Sequence, residues 1–396
     1  MWSNVSILMV GLVHDLTLAA FPFLAALSTS ESPNDRRIWL RVASDHFVAT
    51  DPSDPKAVEK FADAMASRLH AADAATRLEI ACKLAPCART PLRLLAVFES
   101  VESDAGDVVL QHAVAYTHRA LAQAIARGQR RASAVAKREN LSPQLVDILA
   151  EQEDTEVLVA LAGNPSASLG GATLLRLLRR ARRQAEEDGD RRLADALLRR
   201  RPVRSENAVL FLSAKPDQRV EILLAAQRTQ LGRPTSSAPT VGPMMLDELE
   251  RAAVARQPDR FVALLAQSLN CTASLAGRIV DDSSGEPLAV ALAALGAANE
   301  VLVRVLISND LLGGPTFQRI RALANLNNAL DRDAAMLVIA ALRDEPLPRR
   351  RHQPSTDSWA LPQSSRATSA RLLTVMASST RPSGTPAKAK ERIVVR

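Results

Sequence analysis

Aromatic residues are scarce in this chain, at 3% of 396 residues with a single tyrosine. Its core must be built from aliphatic side chains, and the aromatic platforms on which single-stranded nucleic acids stack have little to be made from. Cysteine is as sparse. Cys82, Cys87 and Cys271 are the only three, too few for a disulfide framework and suited to a reducing compartment. Cys82 and Cys87 lie five positions apart, which turns them away from each other on a helix. Both read as small buried hydrophobes rather than as a redox or metal pair.

No run alternates apolar and polar residues long enough to argue for a sheet. The six histidines (His14, His46, His70, His112, His118 and His352) are scattered, and none stands at metal-ligand spacing from an acid or a cysteine. Phosphate-loop, dinucleotide and serine-nucleophile fingerprints are missing as well. On this reading no catalytic residue, metal ligand or cofactor is assigned.

Charge is unevenly placed. The net charge is +7, but residues 346–396 carry ten Lys/Arg against Asp357 and Glu391, or +8, which leaves the rest at −1. A high isoelectric point therefore describes a basic tail on a near-neutral body and is no argument for nucleic-acid binding by the folded part. The tail is rich in Pro, Ser, Thr and Arg and is expected to be disordered.

The longest apolar stretch is residues 5–27. That stretch is long enough to span a bilayer. Yet no Lys or Arg precedes it, His14-Asp15 sits in the middle, and Pro22 interrupts its second half. Residues 1–30 are thus expected to be an extra apolar helix packed on the body, or the product of a start codon placed too early, in preference to a membrane anchor or signal peptide.

Ala, Leu and Arg are abundant, and all three favour helix. Between residues 131 and 214 a helix–break–helix phrase recurs at intervals of roughly 25 to 37 residues. One copy runs from Ala136 through Ser142-Pro143 to Leu145, Ile148 and Leu149. Another runs from Val159 to Asn164-Pro165 and on to Leu174, Leu175 and Leu178. A third runs from Ala196 to Pro202 and on to Val209, Leu210 and Leu212. Ser142 can cap the helix that follows, with Pro143 at its first position. Upstream, Asp54-Pro55 marks a helix start, and Val58, Phe61, Met65 and Leu69 follow at helical spacing. Residues 228–243 are rich in Gly, Pro, Ser and Thr and read as a linker. The expected layout is a helical repeat domain over 50–227, that linker, a second helical unit over 244–345 and the tail. In the second unit Phe261, Leu264, Leu265 and Leu269 share one face, and Leu288, Leu292 and Leu295 another.

Two polar motifs invite a functional reading. Asp281-Asp-Ser-Ser-Gly-Glu286 resembles the start of a calcium loop, but the sixth and twelfth positions hold Glu286 and Leu292 where glycine and a bidentate carboxylate are required. It reads as an inter-helix turn leading into Pro287-Leu288. On the helix that begins near Leu174, the arginines Arg176, Arg179, Arg180 and Arg183 share the arc opposite the leucines, and Arg182 lies near the edge of the apolar one. Glu186, Glu187, Asp188 and Asp190 follow at once and are expected to offset much of that charge.

The stretches Leu141–Pro165 and Phe261–Asp310, the latter with its Gly285-Glu286-Pro287-Leu288 turn, resemble the bacterial family catalogued as domain of unknown function 2336, over roughly residues 60–345. The resemblance implies an all-helical protein of stacked helical hairpins with HEAT-like repeat character, in a family without an assigned activity. It implies no site residue. The sequence thus points to an all-α fold of stacked helical-hairpin repeats followed by a second helical unit. The expected role is a cytoplasmic, non-enzymatic scaffold or regulatory adaptor that binds another protein. The alternative is a nucleic-acid-associated regulator using Arg176, Arg179, Arg180 and Arg183 with the basic tail. An enzyme whose site assembles from distant residues ranks last.

Overall fold

Short polar residues punctuate the chain, and several of them cap the helix that follows. The side chains of Asp73, Ser103, Thr117, Ser142, Asp154 and Thr272 each accept a hydrogen bond from a backbone N–H in the first turn that follows. A computed structural model describes residues 32–50, 55–100, 102–231, 242–308 and 317–344. Among them are nineteen α-helices, one 3-10 helix and no strand. The apolar stretch 5–27, most of the expected linker and the basic tail lie outside the described residues. No described helix is long and apolar enough to cross a membrane. The helices fall into two compact units, one up to Thr173 and the other from Leu174 on.

The first unit contains α1 (Pro33–Ala49), α2 (Pro55–His70), α3 (Ala74–Leu84), α4 (Leu92–Glu99), α5 (Asp104–His112), α6 (His118–Ala126), α7 (Gln129–Ala136), α8 (Pro143–Ala150) and α9 (Thr155–Gly163). The odd-numbered helices form a row in which α1, α3, α5, α7 and α9 pack one on the next. In the second row α2 packs on α4 and α6 on α8, and hairpin partners join the rows. Leu149 and Leu161, on the apolar faces of α8 and α9, are fully buried, as are Met65 and Leu69 on α2. Phe47 and Phe61 stack with ring centroids 4.2 Å apart and join α1 to α2.

A ladder of hydrogen bonds runs along the odd row. The turn after each helix donates to the open C-terminal carbonyls of the helix before it in the row, groups that would otherwise lack partners. Arg89, beyond α3, donates to the Val48 carbonyl near the end of α1 (3.4 Å). The Val114 N–H, beyond α5, donates to Ala85 just past α3 (3.2 Å). Arg138, beyond α7, donates to Leu110 and Ala113 at the end of α5 (2.6 and 2.8 Å). Asn164, beyond α9, donates to Ala136 and Arg138 at the end of α7 (2.9 and 2.7 Å). Asn164, expected only to close its own helix, also ties that helix to its neighbour.

The second unit contains most of α10 (Gly171–Glu187), then α11 (Arg192–Arg199), the 3-10 helix Ser205–Ser213, α12 (Pro216–Gln230), α13 (Pro243–Val254), α14 (Pro258–Leu269), α15 (Ala273–Val280), α16 (Glu286–Leu295), α17 (Asn299–Ser308), α18 (Phe317–Ala329) and α19 (Arg332–Leu342). It is arranged around α16, all ten residues of which are buried, against α14, α15, α18 and α19. A helix that is apolar on every side belongs inside, and the expectation of a single buried face at Leu288, Leu292 and Leu295 is corrected accordingly. α19 packs on α16, on α12 and on the 3-10 helix.

Two further expectations change. The composition of 228–243 predicts a boundary between domains, yet the helices on its two sides share one unit. α12 packs on α19, and Gln227 donates to the Ala329 carbonyl (3.0 Å). Gly and Pro mark where helices stop, which need not be where packing stops. In the third copy of the repeated phrase the helix after Pro202 is a 3-10 helix, and it belongs to the second unit. Cys82, expected to be buried, is exposed, and Cys87 and Cys271 are half-buried.

Candidate functional site

The arginines of α10 are placed much as helical geometry requires. Leu174, Leu177, Leu178 and Ala181 are buried, Arg176 and Arg183 are exposed, and Arg179 and Arg180 are half-buried. Arg179 is tied down by Asp344, at 2.6 Å from Nε to Oδ1. Arg182, at the edge of the apolar arc, pairs with Glu186 (2.8 Å) and donates to the Leu342 carbonyl (2.7 Å). Glu186 also pairs with Arg278 (2.5 Å). Burial pushes the Glu186 carboxyl up, and its two arginines outweigh that and hold it below the usual carboxylate range. Asp190 accepts from the Arg192 N–H (3.0 Å) at the start of α11 and pairs with the Arg192 side chain (2.9 Å) instead of answering the α10 arginines. Counter-charges for this helix thus come partly from Asp344, a residue that sequence spacing could not connect to it.

In the first unit, an open polar groove of about 550 Å³ crosses α7 between α5 and α9. Ser133 and Ala134 of α7 leave room because they are small. Asp107 and Gln111 line it from α5 and Glu156 from α9. Arg130 is already occupied, pairing with Asp104 and Asp107 at 2.8 Å each. Gln129 donates to Asp154. Glu102 stands beside the first end of α7, its Oε1 4.0 Å from where a Cβ on Gly128 would lie. Lys137 caps the other end. Neither Glu102, Lys137 nor Gln111 has a side-chain hydrogen-bond or ion-pair partner among the described residues.

A third polar cluster is closed. The Arg219 guanidinium, 6% exposed, meets Asp282 (2.7 Å) and the fully buried Glu286 (3.2 Å). It also donates to Ser284 Oγ (2.7 Å) and to the carbonyls of Phe211 and Leu212 (3.1 and 3.2 Å). Arg319 donates to the Ser284 carbonyl (2.8 Å) and meets the other Glu286 oxygen (3.2 Å). Burial opposes the charge on Asp282, but Arg219 and Ser284 outweigh it and hold its carboxyl below the usual range. Burial likewise opposes the charge on Arg219, and its two carboxylates raise its pKa above the ordinary value. The stretch Asp281–Glu286, read from sequence as a turn, is one, and it also joins the 3-10 helix, α12, α16 and α18. Glu286 is the sole charge in an otherwise apolar helix, a signal that it needs a partner. That partner lies 67 residues away, beyond the reach of local pattern. No group of residues that could hold a metal ion is found among the described residues.

Residues 105–242 match the model of a family described as an uncharacterised protein conserved in bacteria (DUF2336). The resemblance seen in Leu141–Pro165 lies within that match, while Phe261–Asp310 lies beyond it. The matched part includes α5 to α9 and most of the groove lining. No curated protein and no solved structure matches the chain.

Proposed function

We propose that this chain is a cytoplasmic helical-repeat adaptor of HEAT-like type, non-enzymatic, that binds another protein along the odd row of its first unit. The observation that carries this reading is the groove over α7. It is open and polar, and Glu102, Gln111 and Lys137 in its lining make no side-chain hydrogen bond or ion pair among the described residues. Repeat rows hold each helix through its neighbours and leave one continuous face for a macromolecule. The buried cluster around Arg219 has the opposite character, since its donors and acceptors satisfy one another.

A photo-crosslinking residue at Ser133 tests the proposal in cells, with Gln123 on the exposed side of α6 as the control site. A discrete protein adduct from position 133 and not from 123 is the expected result. An adduct that nuclease removes would replace this reading with the nucleic-acid one. That alternative relies on Arg176, Arg179, Arg180 and Arg183 together with the tail. Arg179 is already paired with Asp344, and the tail carries +8 while the rest of the chain carries −1. Deleting residues 346–396 is therefore expected to abolish salt-sensitive retention on heparin while leaving helix content unchanged. Retention that survives the deletion and is lost on charge reversal at Arg179 and Arg183 would favour the alternative.

A further inference from the structure

We propose that the α7 groove recognises an extended peptide segment of the partner protein in which an acidic and a basic side chain stand four residues apart, the acid on Lys137 and the base on Glu102. This rests on the adaptor reading above and adds to it a rule of recognition. Gly128, beside Glu102, precedes α7, and Lys137 follows it. At about 1.5 Å per residue, those nine steps span about 13 Å. An extended chain rises about 3.4 Å per residue and returns to the same face every second residue. Two side chains four apart therefore point the same way and lie about 13–14 Å apart, which matches the span of the two charges. A spacing of three or five sends the second side chain to the opposite face.

The intervening residue on that face lies over Ser133 and Ala134, where the small side chains leave space. Gln111, on the α5 wall, offers both a donor and an acceptor to the peptide backbone. Arg130 does not compete for the acidic side chain, because Asp104 and Asp107 hold it. The groove thus presents one available cation and one available carboxylate at opposite ends of a polar trough. That arrangement selects against a uniformly charged ligand such as a nucleic-acid strand, whose phosphates would meet Glu102.

The test measures binding of the full chain to fluorescent peptides that carry Glu and Lys three, four or five residues apart. Wild type is expected to prefer the four-residue spacing. Charge reversal by Lys137→Glu should weaken that peptide at least about fivefold and improve binding of a peptide with Lys at both positions. The Glu102→Lys change should do the converse with Glu at both positions. Both residues are exposed, and circular dichroism of the variants checks that helix content is kept. Equal binding at all three spacings, or affinities that neither reversal changes, would overturn the rule. So would preferential binding of a single-stranded oligonucleotide that Lys137→Glu abolishes. If no peptide binds while position 133 still crosslinks to a protein, the recognition rule fails and the adaptor reading stands.

Discussion

Up to Thr173 each helix is held by helices close to it in sequence, whereas from Leu174 on four helices, α14, α15, α18 and α19, pack around one buried element, α16. In the first unit the side-chain ties of the odd row run from the turn after one helix back to the preceding helix, as in Asn164 to Ala136 and Arg138 to Leu110. In the second unit Arg219 reaches Asp282 and Glu286, and α19 returns to pack on α12 and the 3-10 helix. The contrast teaches that one chain can use two ways of closing a helical core. One is additive and leaves a polar face open. The other is concentric and seals its polar groups inside. In the first unit the additive arrangement leaves Lys137 and Glu102 at the two ends of one open groove.

The largest expected effect falls on the sealed cluster. Arg219→Met removes the ion pair of Asp282 and leaves the fully buried Glu286 with Arg319 alone, and it should destabilise the second unit by about 3–5 kcal/mol in urea unfolding. A loss below about 1 kcal/mol would mean that water reaches the cluster and that the ion pairs are not what holds α16 in place.

How much of this was readable in the sequence differs between the units. The first unit was largely legible, because Ser142, Asp154, Leu149 and Leu161 act through neighbours a few residues away. The leucine and arginine arcs of α10 were legible for the same reason. The ladder was not, because Arg89, Arg138 and Asn164 donate to carbonyls 25 to 41 residues earlier, and a capping side chain has no sequence mark beyond its own polarity. In the second unit the apolar periodicity of α14, from Phe261 to Leu269, was visible. The central place of α16 was signalled by its lack of polar residues after Glu286, but what surrounds it depends on contacts that no local pattern encodes. The groove was missed because it is made by small residues, Ser133 and Ala134, between charges from three helices.

Core truncation in the row comes next. Leu149→Ala and Leu161→Ala each remove a fully buried side chain and should cost about 2–5 kcal/mol, read from thermal or urea unfolding. Changes under about 0.5 kcal/mol at both would show that the rows collapse around the gap and are packed more loosely than the burial of these leucines indicates.

Smaller again is the ladder. Asn164→Ala leaves the Ala136 and Arg138 carbonyls without their donor and should cost about 1–3 kcal/mol. Hydrogen exchange should quicken first at the α7–α9 junction. Exchange that quickens evenly from residue 32 to 173 would remove the ladder from its role.

Acid should separate the units more gently. Burial raises the pKa of Glu99, against the opposing pull of Arg131 and Arg127. Glu99 binds its proton more tightly in the folded state, so the stability it contributes is present at low pH and is lost as pH rises through its folded pKa. Asp282 and Glu186 have depressed values. Their contribution is present above the unfolded carboxylate range and is lost as pH falls through their folded pKa values. Below about pH 4 the second unit should therefore weaken sooner than the helices around Glu99. Tryptophan fluorescence separates the two poorly, so peptide-resolved hydrogen exchange at pH 3–5 is the appropriate readout.

The most direct test of the contrast is hydrogen exchange measured by mass spectrometry on Leu161→Ala and Arg219→Met, side by side with the wild type. In Leu161→Ala, loss of protection should be greatest at α8 and α9 and fade along the row towards α1, as expected where stability is a sum over neighbours. In Arg219→Met, α12, α16, α18, α19 and the 3-10 helix should lose protection together. Uniform loss across the whole first unit in Leu161→Ala, or loss confined to α12 in Arg219→Met, would contradict the division into an additive and a concentric core.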